Sequence, residues 1–169
     1  DKDYFKNLFI AMASNVYPDV LKLSKDGGIF LKGDDSGMLF FENLPEAQRL
    51  FAVNPTVANG AMALALSMGF KKIFLFGIDL GFKDPKKHHA SKTAYDDEEF
   101  FAYKEEFKDV FTVRGNFTEK VFTEHTFNAS RLTLENMIKA YQKLFPDLIV
   151  GNLSDGAYIE GTIPLKPKY

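Results

Sequence analysis

The stretch Pro55–Asp79 reads PTVANGAMALALSMGFKKIFLFGID, and the change of pattern halfway along it decides the fold. In its first half Val57, Ala61, Leu64, Ala65 and Met68 recur at helical spacing, with Gly69 where a helix C-cap belongs. The small residues Ala58, Gly60, Ala61, Ala63 and Ala65 allow that helix to lie close against a sheet. In its second half Lys72 to Ile78 is a continuous apolar run, the pattern of a central parallel strand buried on both faces. The run leads into Gly77-Ile78-Asp79, which sets an acid at a strand's carboxyl end.

Upstream, Leu8 to Ala13 is an apolar run without helical spacing and reads as a buried strand. Tyr17-Pro18-Asp19 opens a short helix with Val20, Leu21 and Leu23 on its apolar side, and Gly27-Gly28 is expected to stop it. Ile29 to Leu31 reads as a second strand, so strand, helix and strand predict a parallel βαβ unit. Lys32 to Asn43 is loop-like, and a short helix is expected from Pro45. Downstream, Lys83 to Glu99 is polar and too long for a mere connection, which makes it a candidate functional loop. Phe111–Val113 and Lys120–Thr123, around the turn Arg114-Gly115-Asn116, predict a hairpin. A helix from about Thr126 to Leu144 turns Phe127, Leu134, Ile138, Tyr141 and Phe145 inward, and Leu148–Val150 is a closing strand. The expected fold class is α/β, a mainly parallel Rossmann-like sheet flanked by helices with a small hairpin insertion.

The 169 residues correspond to a single α/β domain, 1–169. With 46% hydrophobic and 26% charged residues, the chain is not of a disordered composition. A formal net charge of -2 gives no strong field for nucleic acid or an anionic membrane. The absence of cysteine excludes disulfides and cysteine-ligated zinc or iron–sulfur sites. No apolar run approaches the roughly 20 residues that span a bilayer. The 18 Phe without any Trp are scattered, which points to a core filled with Phe rather than to a site. A first residue of Asp1 rather than Met leads to the expectation of a piece of a longer protein or one processed or partly disordered at its start, and the composition as a whole to that of a cytoplasmic domain.

Ligands of open α/β sheets bind outside the carboxyl ends of strands, and three places put polar residues there. Gly77 lets a ligand approach the backbone, and Asp79 can accept hydrogen bonds from hydroxyl or amino groups; equally, the pair can ease packing and cap a turn. Thr56, Val57, Ala58 and Asn59 open the small-residue helix, whose free N–H groups suit phosphate, although Thr56 or Asn59 can serve simply as caps. This is no P-loop, and no G-x-G-x-x-G is present. His88, His89 and His125 are candidate general bases, although His88 and His89 can equally be surface residues and His125 a capping or exposed one. Adjacent His88 and His89 point to opposite sides of an extended chain, so they do not share a metal. Asp34-Asp35 and Asp96 to Glu99 offer hard oxygen ligands, but acid runs in loops are ordinarily solvated surface, and no metal is placed. Lys83, Lys86 and Lys87 could hold an anionic sugar or phosphate, or form ordinary mixed-charge surface.

Pro55 to Ala61, the Ala/Leu-rich helix, Met68 to Ile73, Phe76 to Phe82, His89-Ala90 and Asn152 to Ala157 together resemble the motility-associated factor (Maf) family of bacterial flagellin glycosyltransferases. That family's central domain is related to the CMP-dependent sialyltransferases. The resemblance covers roughly residues 54 to 157 and is most specific over 55–95. It implies inverting, metal-independent transfer of a nonulosonic acid (pseudaminic or legionaminic type) from its CMP donor to Ser or Thr of flagellin. It implies no further cofactor: the partners are the CMP-activated nine-carbon sugar and the flagellin acceptor. By position, the resemblance assigns Thr56, Val57, Ala58, Asn59, Gly77, Asp79 and Leu80 to the nucleotide. His125 or His89 falls to the general base, and Ser91 or Tyr95 to the phosphate or sugar.

Two departures matter. A phosphate-binding Tyr of the sialyltransferases is replaced here by Gly81, and the Gly-rich strand turn that begins those domains is absent, so the chain corresponds to the back part of a catalytic domain. The same superfamily contains 6-hydroxymethyl-dihydropterin pyrophosphokinases, which use ATP with Mg2+ and would draw on Asp79 with Asp96 or Asp97. A third reading is a non-catalytic docking or sugar-binding module.

Overall fold

The computed structural model describes residues 4–32, 49–85 and 109–166. Among the expectations above, the loop from 33 onward, the helix from Pro45, and most of the polar loop after Lys83 lie outside those residues, together with His88, His89, Ser91, Tyr95 and the two acid runs. The chain divides into two compact units, Asp1–Ser67 and Met68–Tyr169. Both are built on parallel strands, so the fold class is α/β as expected.

Unit 1 opens with a 3-10 helix over Tyr4–Asn7, followed by β1 (Phe9–Ala13), a 3-10 helix over Pro18–Lys22, β2 (Asp26–Lys32), β3 (Arg49–Leu50) and α1 (Val57–Ser67). Strands β1, β2 and β3 lie side by side in parallel, with Phe9 opposite Asp26 and Ala13 opposite Phe30. The βαβ reading holds, with a single 3-10 turn as the connection. Its bonds run from Val20 N–H to Tyr17 O at 3.0 Å and from Leu23 N–H to Val20 O at 3.1 Å.

Two expectations are corrected here. Gly27 and Gly28 do not stop the helix but lie inside β2; a Cβ on Gly27 would stand 2.8 Å from Ile10 O, so the glycines allow β1 and β2 to pair closely. The buried face of α1 is also rotated from the expected one. It carries Asn59, Gly60, Met62, Ala63 and Leu66, while Val57 is 91% exposed. A helix apolar on nearly every side has no phase of its own. Contacts set it instead, such as Gly60 against the Phe30 ring and the Val53 carbonyl.

Unit 2 contains β4 (Lys72–Leu75), β5 (Phe111–Arg114), β6 (Lys120–Thr123), α2 (His125–Leu144), β7 (Ile149–Asn152) and β8 (Ile163–Pro164). Strands β4, β7 and β8 form a parallel sheet in that order, and β5 with β6 is the expected hairpin. Its buried apolar residues include Leu75, Leu80, Phe82, Val121, Leu134, Ile138, Val150 and Ile159. The strand after Gly69 is shorter than expected and not buried on both sides: β4 ends at Leu75, which is buried, whereas Phe74 and Phe76 are exposed. With β4 at the edge of a three-stranded sheet, its burial alternates, and an apolar run alone could not reveal that. Gly69 takes φ +82°, the left-handed backbone expected after a helix. Among the described residues no helix is long and apolar enough to cross a membrane.

Candidate functional site

The polypeptide leaves β4 through Gly77-Ile78-Asp79-Leu80. Gly77 has φ +65° with open space where a Cβ would stand, and Leu80, a residue that avoids this region, has φ +47°. The loop is held in this form from three directions. Ile78 N–H donates to Ser154 Oγ at 2.9 Å, Ala157 N–H donates to Asp79 O at 2.7 Å, and Thr123 Oγ1 donates to Leu80 O at 2.9 Å. Gly156 lies so close to the Asp79 backbone that no side chain fits there. Gly81 is similarly confined, because a Cβ would stand 2.9 Å from both Phe122 O and Val121 Cγ2. Phe82 and Phe122 exchange backbone bonds of 2.8 and 2.9 Å beside it. The glycine at position 81 thus has a local cause: the hairpin runs against the loop.

Behind the loop sits a buried amide cluster that sequence reasoning missed. Asn152, at the carboxyl end of β7, accepts from Ser154 N–H through Oδ1 at 3.0 Å. Asn116, in the hairpin turn, donates from Nδ2 to Asn152 O at 3.2 Å and to Ser154 O at 2.8 Å. Its backbone N–H donates to Gly156 O at 2.8 Å. Among the described residues, Asn116 Oδ1 and Asn152 Nδ2 are buried without a hydrogen-bond partner. Asn152-Leu153-Ser154 stands out in the sequence, but Asn116 looks like any turn asparagine, and its pairing is visible only in three dimensions.

Asp79 shares the loop's outer side with Asp155 and Lys83. Burial and the Asp155 carboxylate push the Asp79 carboxyl above its ordinary value, opposed by a hydrogen bond from the Asp155 backbone and by the Lys83 ammonium. Lys83 is itself paired with the Asp155 side chain. Part of Asp79 stays in solvent, which moderates the shift.

His125 is the first residue of α2 rather than a residue ahead of it. The two residues before it explain its placement. Thr123 bonds the Asp79-Leu80 loop, and Glu124 caps the helix by accepting from Thr126 N–H at 2.7 Å and Phe127 N–H at 2.6 Å. The helix N-terminus is therefore occupied by a carboxylate. The imidazole is exposed, 3.8 Å from the Asp109 carboxylate and tilted over the Phe111 ring at 5.5 Å. An exposed imidazole is open to an incoming hydroxyl group, the geometric requirement of a general base.

Of the expected nucleotide residues, Thr56 to Asn59 belong to unit 1 and Gly77, Asp79 and Leu80 to unit 2. Thr56 and Asn59 form a local cap. Asn59 Oδ1 accepts from Thr56 N–H at 3.1 Å and from Thr56 Oγ1 at 2.8 Å, after a cis Asn54–Pro55 peptide. Asn59 is completely buried, so its side chain serves the start of α1. Unit 1 also holds a cavity of about 420 Å3 walled by Met12, Phe30, Val53 and Leu64, with Asn15 and Lys32 as polar lining. No group of three or more His, Cys, Asp or Glu suited to a metal ion occurs among the described residues.

The family model described as 6-hydroxymethylpterin diphosphokinase MptE-like matches residues 1–85. Among solved structures, the Maf glycosyltransferase from Magnetospirillum magneticum AMB-1 resembles the chain with a TM-score of 0.70 and 25% sequence identity, over 93% of this chain and 22% of that one. The chain thus spans about a fifth of that enzyme's length. No curated protein matches it.

Proposed function

The chain belongs to the 6-hydroxymethylpterin diphosphokinase MptE-like family, and from that premise we propose that it is part of a cytoplasmic glycosyltransferase. The donor in this reading is a CMP-linked nonulosonic acid and the acceptor a Ser or Thr of flagellin. The observation that carries the reading is the likeness, over 93% of the chain, to a Maf glycosyltransferase. The loop geometry supports it. Open space at Gly77 leaves the backbone approachable by a flat base, and Asp79 beside it can accept hydrogen bonds from an amino or hydroxyl group. His125 takes the proton of the acceptor hydroxyl as its oxygen attacks the anomeric carbon. The bond from that carbon to the phosphate oxygen breaks, and CMP departs with the electron pair, inverting the centre. CMP is a good leaving group, so the scheme needs no metal.

A second reading, an ATP- and Mg2+-dependent pterin pyrophosphokinase, is favoured by the description of the matched family. Titration calorimetry of the chain with CMP, and separately with ATP and Mg2+, tells the two apart. Binding of CMP without metal is expected, weakened about tenfold by Asp79→Ala as for loss of a charged hydrogen bond. Binding of ATP with Mg2+ alone would overturn the transferase reading in favour of the second.

A further inference from the structure

We propose that Asn116 is a positioning residue for the loop Gly77–Leu80, acting through the return segment 152–156 that its amide and backbone hold in place. The proposal rests on reading that loop as the nucleotide site. Asn116 holds three carbonyls along the segment, those of Asn152, Ser154 and Gly156. Contacts to the loop come from the residues of that segment or just past it: the Ser154 hydroxyl at Ile78, the Asp155 backbone at the Asp79 carboxylate and the Ala157 N–H at Asp79 O. These contacts hold the loop in a form its own residues do not favour, since Leu80 is left-handed at φ +47°, a backbone that leucine avoids.

The cluster is not arranged for stability alone. Asn116, 9% exposed, finds no partner for its Oδ1 among the described residues, and Asn152, fully buried, finds none for its Nδ2. Each such atom carries an unrecovered desolvation penalty, which an apolar side chain of the same shape would avoid. What such a side chain lacks is a pair of N–H donors aimed at two carbonyls, and that is the function the amide retains.

The test follows the Asp79 carboxyl by NMR titration in the whole chain, with Asp155 and Lys83 as the charged groups facing it, and measures CMP affinity in parallel. In Asn116→Ala the Asp79 midpoint is expected to fall back toward 3.8, as the segment carrying Asp155 loosens and the carboxyl becomes solvated. CMP affinity is expected to drop about tenfold or more. Leu134→Ala, a core change in α2, serves as the control: it lowers the melting temperature and leaves both readouts in place. An unchanged Asp79 midpoint in folded Asn116→Ala, or an equal change in Leu134→Ala, would overturn the positioning role. Asn116→Ser is read by the same criteria if the alanine variant does not fold. Wild-type protein that ignores CMP would sink the nucleotide reading, while the Asp79 titration still decides the role of Asn116.

Discussion

Gly156 and Gly69 both resist an added methyl group, through different physics. At Gly156 a Cβ would meet the Asp79 backbone, whereas at Gly69 nothing lies within 4 Å and only φ +82° opposes it. Gly156→Ala is therefore expected to lose about 1–3 kcal/mol through overpacking and to displace the loop. Gly69→Ala should lose about 1–2 kcal/mol of backbone strain and leave the loop intact. Urea denaturation and the Asp79 amide resonance check both. Asp79 itself gives a pH signature. Its folded pKa is raised, so its contribution to stability is complete below 3.8 and is lost as pH rises through the folded value. Asp79→Asn should accordingly be the more stable protein at pH 7, with the advantage shrinking as the buffer is acidified, and melting temperatures across pH 3–7 would show it. Gly77, Asp79 and Leu80 were legible as site candidates because an acid after an apolar run is conspicuous. Asn116 was not, because a buried amide and a solvated turn amide have the same letter.

The two long helices show where element-level reading works. In α2 the expected Leu134 and Ile138 are buried together with Met137, so period places the centre of its inner face, whereas Phe145, expected to turn inward, is exposed at the helix end. In α1 the apolar residues encircle the axis, and the buried face follows from Asn59 and Gly60 instead. The start of α2 was legible to within one residue, His125 against the expected Thr126, but its cap Glu124, whose carboxylate takes two N–H groups, was not. Glu124→Ala should cost about 0.5–2 kcal/mol in chemical denaturation, the range for loss of a helix cap. It should also increase the mobility of His125, measurable as faster exchange of the amides in the first turn. The strand β4 was read correctly in type and incorrectly in burial, because coverage depends on neighbours that a run of apolar letters does not name.

Over the chain as a whole, the parallel topology was the most legible feature, and the distribution of solvent contact the least. Phe74 and Phe76 are 52% and 68% exposed, and Ile149 and Ile163 beside them in the same sheet are also open. Such an apolar patch favours self-association. Phe76→Lys is expected to reduce concentration-dependent light scattering while changing stability by no more than about 0.5 kcal/mol, as for other surface substitutions. The bond from Ile78 to Ser154 has a consequence of another kind. It joins residues 76 positions apart, and β4 gains its neighbour β7 across nearly the same separation. The β5–β6 hairpin and α2 need only local contacts and can form early, but the pairing of β4 with β7 and the loop after β4 close only after a long stretch of chain has been drawn together. On the folding pathway, the loop proposed to hold the ligand is thus among the last parts of unit 2 to be assembled.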